Sequence, residues 1–335
     1  MRVGIVGAGF MGETHARAWV ATPAQVAAIY APREEPTRKL AQQVGASACR
    51  SLRELIDQVD VVDVCAPTDQ HAAIGLQAAA AGRHLLVEKP LARKLGEGQE
   101  LLQACEQAGV QLLVGHVLRF FPEYAAAQAA VTRGDIGDVA MLRLTRGSFQ
   151  PWAGTAHWLT DESRSGGLIL DLMIHDFDYA QWVAGPVESV HARSVRSRGA
   201  GAPGDYCLAL LRHRGGAISH VEGAWTYPRP LFRTALEIAG SEGLIEQPAE
   251  STAPLDIRLA QQDAEGADIV APTSPLAEDP FVTQMRNVHD VLAGGAAPRC
   301  SAAEALAALR IALAARESAR CGRPVRPDEL VAEAK

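Results

Sequence analysis

A glycine-rich segment near the start of the chain limits the possible fold more than any other feature. The residues GAGFMG, at positions 7–12, follow the apolar run Val3–Val6 and open a helical pattern. In such a G-x-G-x-x-G segment the first glycine permits a tight turn, the second lets backbone approach a pyrophosphate, and the third lets helix and strand pack closely. The helix N-terminus beyond the turn favours an anion. The segment therefore predicts a strand–turn–helix unit that binds a dinucleotide.

Short apolar runs alternate with helical patterns through the first third of the chain. Strands are predicted at Val3–Val6, Gln25–Tyr30, Val59–Cys65, His84–Val87 and Gln111–Val114, and helices at Phe10–Ala21, Glu34–Val44, Ser51–Asp57, Asp69–Ala81 and Gly98–Ala108. Strands separated by helices of about ten residues imply parallel βαβ units with right-handed crossovers. The predicted fold class is α/β, and this part is a doubly wound Rossmann sheet.

Longer and more polar strands dominate after residue 120. They are predicted at Val139–Arg146, Val187–Val195, Asp205–Arg212, Ala217–Trp225 and Phe232–Ala239. Few helices separate them, apart from a helical segment over Gly167–Val183 that follows the first strand. The pattern predicts an α+β domain with a large, mostly antiparallel open sheet.

The domain boundaries follow from these changes of pattern. We predict a dinucleotide-binding domain over residues 1–120 and a second α+β domain over residues 121–300, with loops or edge strands over 194–204 and 247–275. Residues 301–335 are predicted to form a C-terminal helix and tail that pack back near the first domain.

Charge and cysteine content limit the partners. The net charge of −7 gives no electrostatic reason to expect nucleic acid or an anionic membrane as a partner. The first apolar run is too short for a signal sequence, and no run approaches the roughly 20 residues that span a bilayer. The six cysteines form no Cys-x-x-Cys pair, which argues against a zinc or disulfide framework. These features predict a cytoplasmic protein.

The residues after the second strand bear on the choice of cofactor. NAD-preferring sites place an acid there to bind the ribose 2′-hydroxyl, whereas an arginine accommodates the 2′-phosphate of NADP. This chain has Ala31 at that position, and Arg33 follows two residues later. Arg33 binds a 2′-phosphate on one interpretation; the alternatives are that Arg33 is a solvated loop residue, or that Glu34 serves the ribose. We favour NADP over NAD.

Three further residues indicate acid–base chemistry. Lys89 follows a buried strand directly, at the sheet edge where doubly wound folds bind ligands. Asp171 and His175 are four residues apart, so on one helix they would share a face, and a carboxylate can support a protonated imidazole. The alternatives are a surface lysine, a buried structural histidine, or two ligands of a metal site. The sequence offers no further metal ligands at suitable spacing, and we predict no metal.

Five motifs in order resemble a known family. They are GAGFMG at 7–12, CAPTDQH at 65–71, EKPLA at 88–92, GHVLRFFP at 115–122 and GGLILDLMIHDFD at 166–178. Together they resemble the glucose-fructose oxidoreductase / inositol dehydrogenase / MocA family across nearly the whole chain. The resemblance implies a Rossmann domain, an α/β domain whose open sheet serves in oligomer contacts, a nicotinamide cofactor, and oxidation or reduction of a sugar, polyol or inositol carbon.

The resemblance also implies roles for individual residues. The catalytic residues would be Lys89, which polarises the substrate oxygen, His175, which accepts the hydroxyl proton, and Asp171, which holds His175. Cofactor-binding positions would be Gly7, Ala8, Gly9, Phe10, Met11, Gly12, Ala66, Pro67, Thr68, His71, Glu88 and Lys89. The position after the second strand adds Ala31 and Arg33, and Ala31 departs from the acid that the family usually has there. Substrate-binding positions would be Lys89, His116, Arg119, Trp158, Asp171 and His175, with Phe120, Trp152 and His157 nearby.

Three functions stay open on the sequence alone. The first is an NAD(P)-dependent dehydrogenase that acts on a sugar-like or polyol-like substrate as a homodimer or homotetramer. The second is a sensor that binds a dinucleotide and a sugar without turnover. The third is an enzyme that keeps its cofactor bound and oxidises its substrate transiently to drive elimination or glycoside cleavage. We favour the first.

Overall fold

The chain divides into two compact units in a computed structural model that describes residues 1–149, 158–195, 205–247 and 278–331. The first unit comprises residues 1–122, 274–307 and 332–335, and the second comprises residues 123–273 and 308–331. The loop and edge-strand predictions over 196–204 and 248–275, and the residues Trp152 and His157, lie outside the described residues.

A six-stranded parallel sheet forms the centre of the first unit. Its strands are β1 (Arg2–Val6), β2 (Gln25–Tyr30), β3 (Ser47–Ala48), β4 (Val61–Val64), β5 (His84–Glu88) and β6 (Leu112–Gly115), and its helices are α1 (Phe10–Val20), α2 (Glu34–Val44), α3 (Leu52–Ile56), α4 (His71–Ala80) and α5 (Leu95–Ala108). The strand order is β3-β2-β1-β4-β5-β6, which is the order of a Rossmann fold. The predicted fold class is therefore confirmed.

Burial explains why these strands are nearly continuous apolar runs. All four residues of β4 are buried, because helices cover both faces of a parallel sheet. Two clusters of buried side chains lie in the unit, with Val62 and Leu85 in one and Ile5 and Leu86 in the other. Adjacent residues of β5 thus join different clusters, as the alternation of side chains along a strand requires.

A second six-stranded sheet forms the centre of the other unit. The elements are α6 (Pro122–Arg133), β7 (Val139–Gly147), α7 (Glu162–Ser165), α8 (Gly167–Asp171), α9 (Ile174–Ala184), β8 (Val187–Val195), β9 (Tyr206–His213), β10 (Ile218–Ala224), β11 (Arg233–Gly240) and β12 (Leu244–Glu246). The order is β12-β11-β7-β10-β9-β8, and the neighbours are antiparallel except for the parallel pair β7–β10. The expected mostly antiparallel sheet is confirmed.

The predicted helix over Gly167–Val183 is two helices. The N–H groups of Leu172 and Met173 both donate to the carbonyl oxygen of Leu168, at 2.9 and 3.1 Å. The second bond spans five residues instead of four, so the turn widens and α8 ends at Asp171. The next helix, α9, begins at Ile174. Asp171 and His175 therefore lie on opposite sides of a helix break, and the prediction that they share a face of one helix is wrong.

The C-terminal elements correct the predicted domain boundary at residue 300. Helix α10 (Pro280–Leu292) contacts α1, and its residue Met285 is fully buried in the same cluster as Trp19. Residues 278–300 therefore belong to the first unit. Helix α11 (Ala302–Cys321) begins in the first unit, where Ala305 joins the core, and the division between the units falls after residue 307. Later in the tail, Val325 pairs with Val190 of β8 in the second unit.

Among the described residues, no helix combines the length and the apolar composition that crossing a membrane requires.

Candidate cofactor and catalytic residues

The turn between β1 and α1 contains three glycines in different environments. Gly7 has a φ of +126°, and a Cβ there would lie 2.4 Å from the carbonyl oxygen of Cys65. A Cβ on Gly12 would lie 2.0 Å from the carbonyl oxygen of Gly7. Gly9 has an ordinary φ of −98°, and no described heavy atom would lie within 4 Å of a Cβ built on it. The fold itself thus requires glycine at positions 7 and 12, whereas position 9 faces open space.

The other residues of this turn surround that open space. Gly9 is the N-cap of α1 and makes no side-chain cap, so the first N–H groups of the helix are available to a ligand. Phe10 is 62% exposed, while Ala8 and Met11 are partly buried. An uncapped helix N-terminus beside an open glycine is an arrangement that suits a phosphate group.

The segment after β2 leaves an arginine exposed near the start of α2. Arg33 is the N-cap residue of α2, and its carbonyl oxygen accepts a bond of 2.7 Å from the hydroxyl of Thr37. Its side chain is exposed. Glu34 is also exposed and pairs with Arg38 at 3.5 Å along the same helix. Arg38 is thus paired with a carboxylate along the helix, whereas Arg33 lies exposed at the start of the helix.

His71 joins the loop after β4 to the segment after β5. Its Nε2 lies 2.8 Å from the carbonyl oxygen of Ala66, and its Nδ1 lies 2.9 Å from that of Pro90. Burial lowers the pKa of His71, although both carbonyl groups favour the protonated ring. These contacts use both ring nitrogens. His71 therefore acts on the Ala66–Thr68 loop by holding it.

Lys89 follows β5 at the carboxyl edge of the sheet and is partly buried. Its peptide bond to Pro90 is cis. Its backbone N–H donates to Oε2 of Glu88 at 3.1 Å, so the neighbouring carboxylate is tied to the backbone of the lysine.

A buried group of ionisable side chains lies behind Lys89 in the same unit. His15 in α1 is fully buried, with Nδ1 2.9 Å from Oδ2 of Asp63 and Nε2 3.0 Å from Oε1 of Glu88. Trp19 donates its indole N–H to Asp63 at 2.8 Å, and the Cys65 thiol lies 3.3 Å from Nδ1 of His15. Burial alone would lower the pKa of His15, but Asp63 and then Cys65 outweigh it and raise that pKa well above its usual value.

Sequence reasoning missed this group, although one signal pointed to it. Asp63 is a carboxylate inside an otherwise apolar, buried strand, and such a residue needs a charged partner. His15, Asp63 and Cys65 also bring three ligand-type atoms within 4.8 Å of one another. The hydrogen bonds among them and from Trp19 account for that closeness without an ion.

The second unit contains the remaining predicted catalytic residues. Asp171 ends α8 and His175 lies in the first turn of α9, and both are partly buried. The residue after His175, Asp176, accepts two bonds from Arg146 of β7, at 2.8 and 3.0 Å. Burial opposes the charge of Arg146, but Asp176 outweighs it and raises the pKa of the guanidinium. This buried ion pair fixes the first turn of α9 to the sheet.

The other predicted substrate residues differ in their surroundings. Arg119 is fully buried, and its Nη1 donates to the carbonyl oxygen of Arg299 at 2.7 Å and to Glu304 at 2.8 Å. His116 and Phe120 are buried in the same segment of the first unit. Trp158 opens a short 3-10 helix in the second unit and is partly buried. Within each unit, the structure brings Lys89 next to Glu88 and places Asp171 and His175 on either side of one helix break.

Known proteins resemble the chain over its whole length. Residues 1–116 match the family described as "Oxidoreductase family, NAD-binding Rossmann fold", and residues 124–246 match the "GFO/IDH/MocA C-terminal domain". The chain is 28% identical to a myo-inositol 2-dehydrogenase from Thermotoga maritima, covering 99% of this chain and 100% of that protein. It is 30% identical to an inositol 2-dehydrogenase from Rhizobium meliloti, covering 86% of this chain and 85% of that protein.

A solved structure agrees with these sequence matches. The crystal structure of GenD2 from gentamicin A biosynthesis, in complex with NAD, is 26% identical in sequence and superimposes with a TM-score of 0.85. The match covers 97% of this chain and 96% of GenD2. Both family matches, the extent of the relatives and the order of the Rossmann strands agree with the resemblance seen in the sequence. The chain therefore belongs to the GFO/IDH/MocA oxidoreductase family.

Proposed function

We propose that the chain is an NAD(P)-dependent dehydrogenase that acts on a secondary hydroxyl of a sugar, polyol or inositol. The observation that carries the proposal is the turn at residues 7–12. The fold packs against Gly7 and Gly12 but leaves Gly9 open beside an uncapped helix N-terminus. Packing within the fold does not require glycine at position 9. A dinucleotide pyrophosphate bound close to this backbone would require it. The inositol dehydrogenases among the relatives support the substrate class.

The residues of the first unit would bind the cofactor. When it is bound, the nicotinamide supplies a hydride acceptor. The pyrophosphate would lie against the turn formed by Gly7, Ala8, Gly9, Phe10, Met11 and Gly12. Ala66, Pro67 and Thr68 would form a second contact, and His71 would keep that loop in place through Ala66.

The proposed catalytic residues are Lys89, Asp171 and His175, and each has a different role at the substrate oxygen. His175 accepts the hydroxyl proton as the carbinol becomes a carbonyl, because imidazole titrates near neutral pH. Lys89 donates a hydrogen bond to the same oxygen, and Asp171 orients His175. His116 and Trp158 are proposed substrate contacts. The bonds from Arg119 to Arg299 and Glu304 favour a structural part for this arginine over direct contact with substrate.

The proposed preference for NADP rests on Arg33. Its exposed guanidinium lies after β2, where Ala31 stands in place of an acid. We expect Arg33→Ala to raise KM for NADPH by about tenfold or more, since a charged hydrogen bond to phosphate contributes about 1.5–3 kcal/mol. KM for NADH should stay nearly constant. Steady-state kinetics with both cofactors measures the change.

Arg38→Ala is the matched control, because Arg38 is exposed on the same helix and pairs with Glu34. It should affect neither cofactor. An enzyme that prefers NADH, and in which Arg33→Ala changes both KM values alike, would contradict the assignment of Arg33.

The function is tested by following reduced nicotinamide by absorbance against a panel of inositols, aldoses, polyols and hydroxy acids, with NAD and NADP in parallel. Turnover of a sugar-like or polyol-like compound is the expected result. Tight cofactor binding without turnover of any compound would favour the sensor or the transient-oxidation function instead.

A further inference from the structure

The buried group behind Lys89 forms a continuous connection from α1 to the end of β5. Asp63 bonds to one ring nitrogen of His15, and Glu88 lies against the other. The second oxygen of Glu88 then accepts the backbone N–H of Lys89. His15 and Asp63 are fully buried, and Glu88 is 5% exposed. Water is thus poorly placed to substitute for any of these contacts.

The short contacts on both sides of the His15 ring favour its protonated state. Nδ1 of His15 is hydrogen-bonded to Asp63, whereas Nε2 lies 3.0 Å from Oε1 of Glu88 in an ion-pair contact without hydrogen-bond geometry. Two carboxylates both attract the ring when His15 carries a proton on each nitrogen, because a neutral imidazole has one N–H. Such an imidazolium is stabilised by the two carboxylates, and removing it would leave buried negative charge unpaired. Asp63 and Cys65 raise the pKa of His15, in agreement with a protonated ring.

The carboxylate of Glu88 has little freedom to turn elsewhere. A Cβ on Gly115 of the neighbouring strand β6 would lie 2.5 Å from Oε1 of Glu88, so the carboxylate packs against the backbone of that strand. His15 is the side chain that pairs with this oxygen. On the far side of the ring, Trp19 donates its indole N–H to Asp63.

We propose that His15 is a positioning residue for Lys89, acting through the carboxylate of Glu88. The proposal rests on the proposed function, because it assigns His15 to the lysine that would contact the substrate oxygen. The rival explanation is that the group only stabilises the first unit. The two explanations differ in whether the position of Lys89 depends more on the ion-pair contact of His15 with Glu88 than on its hydrogen bond to Asp63.

Two amide variants separate these two contacts. In His15→Gln the side-chain amide can occupy the place of Nε2 and keep the contact with Glu88, whereas in His15→Asn it can occupy the place of Nδ1 and keep the contact with Asp63. Both variants remove the ring and its charge. We expect His15→Asn to lower kcat by about 10- to 100-fold with little change in KM for the cofactor, because small displacements of a catalytic group have effects of this size. His15→Gln should retain most of the wild-type kcat.

A measurement on Lys89 itself does not depend on turnover. The sequence contains four lysines, so reductive methylation with isotopically labelled formaldehyde gives a simple NMR spectrum, in which Lys89→Arg identifies the Lys89 signal. The signal should move in His15→Asn and stay near its wild-type position in His15→Gln. Trp19→Phe, which removes a donor to Asp63, should lower Tm without moving the signal.

The outcomes distinguish the two proposals. Wild-type protein that oxidises no compound of the panel contradicts the proposed function, and the NMR comparison still decides whether His15 positions Lys89. Equal loss of kcat in both amide variants, or a Lys89 signal that is unchanged in His15→Asn, would overturn the role of His15.

Discussion

Lys89→Met is expected to lower kcat by on the order of 100- to 1,000-fold, as removal of one donor to a developing oxyanion does in other enzymes. The methionine keeps most of the length of the side chain but cannot donate a hydrogen bond to the substrate oxygen. The Kd of the cofactor should change little, since the glycine turn at residues 7–12 is untouched. Steady-state kinetics and cofactor titration on the same preparations measure the two quantities separately.

Lys39→Met is the control for this experiment. Lys39 is exposed on α2, and its substitution removes one positive charge, as Lys89→Met does. It should leave kcat at the wild-type value. A wild-type kcat in Lys89→Met would show that Lys89 takes no part in the mechanism. The main argument for catalysis at the end of β5 would then be lost.

Gly9→Ala is expected to weaken cofactor binding, whereas Gly12→Ala is expected to destabilise the fold. Gly9 has a φ that alanine adopts and open space around it, so the fold should change in stability by no more than about 1 kcal/mol. The added methyl group would occupy the position of the pyrophosphate and weaken cofactor binding by on the order of 100-fold, the equivalent of about two lost hydrogen bonds to a charged group. In Gly12→Ala the methyl group would meet the backbone oxygen of Gly7 and lower the free energy of unfolding by at least about 3 kcal/mol.

Thermal unfolding with and without cofactor distinguishes the effects of the two variants. Gly9→Ala should unfold near the wild-type temperature and lose the stabilisation that added cofactor gives. Gly12→Ala should unfold at a lower temperature even without cofactor. A Gly9→Ala protein that binds the dinucleotide as tightly as wild type would show that the pyrophosphate lies elsewhere.

Local patterns in the sequence were sufficient for most of the fold. The order of strands and helices in the first unit follows from alternating apolar runs, since each buried parallel strand must be apolar on both faces. The two shortest strands, β3 and β12, were missed, because runs of two or three residues are too short to show the alternation of apolar and polar residues typical of a strand. Helix α5 begins at Leu95 and not at Gly98, since the backbone N–H of Lys94 is satisfied by Glu97 and so starts the helix earlier.

Features that depend on distant partners could not be predicted in this way. The place of α10 is set by its packing against α1, in the buried cluster that includes Met285 and Trp19, and the local sequence does not indicate this contact. The break between α8 and α9 likewise arises from a single wide turn at Leu168, within a stretch of strong helical pattern. The pairing of His15 with Asp63 and Glu88 joins residues from three separate elements, which no local pattern brings together.

Hydride transfer can be followed directly with a substrate from the panel that carries deuterium on its carbinol carbon. The proposed mechanism predicts that the reduced cofactor isolated after turnover contains the deuterium, while the hydroxyl proton passes to His175 and then to solvent. If the deuterium returned to a carbon atom of the product and no reduced cofactor accumulated, the result would contradict the proposed dehydrogenase function. It would identify transient oxidation of the substrate instead.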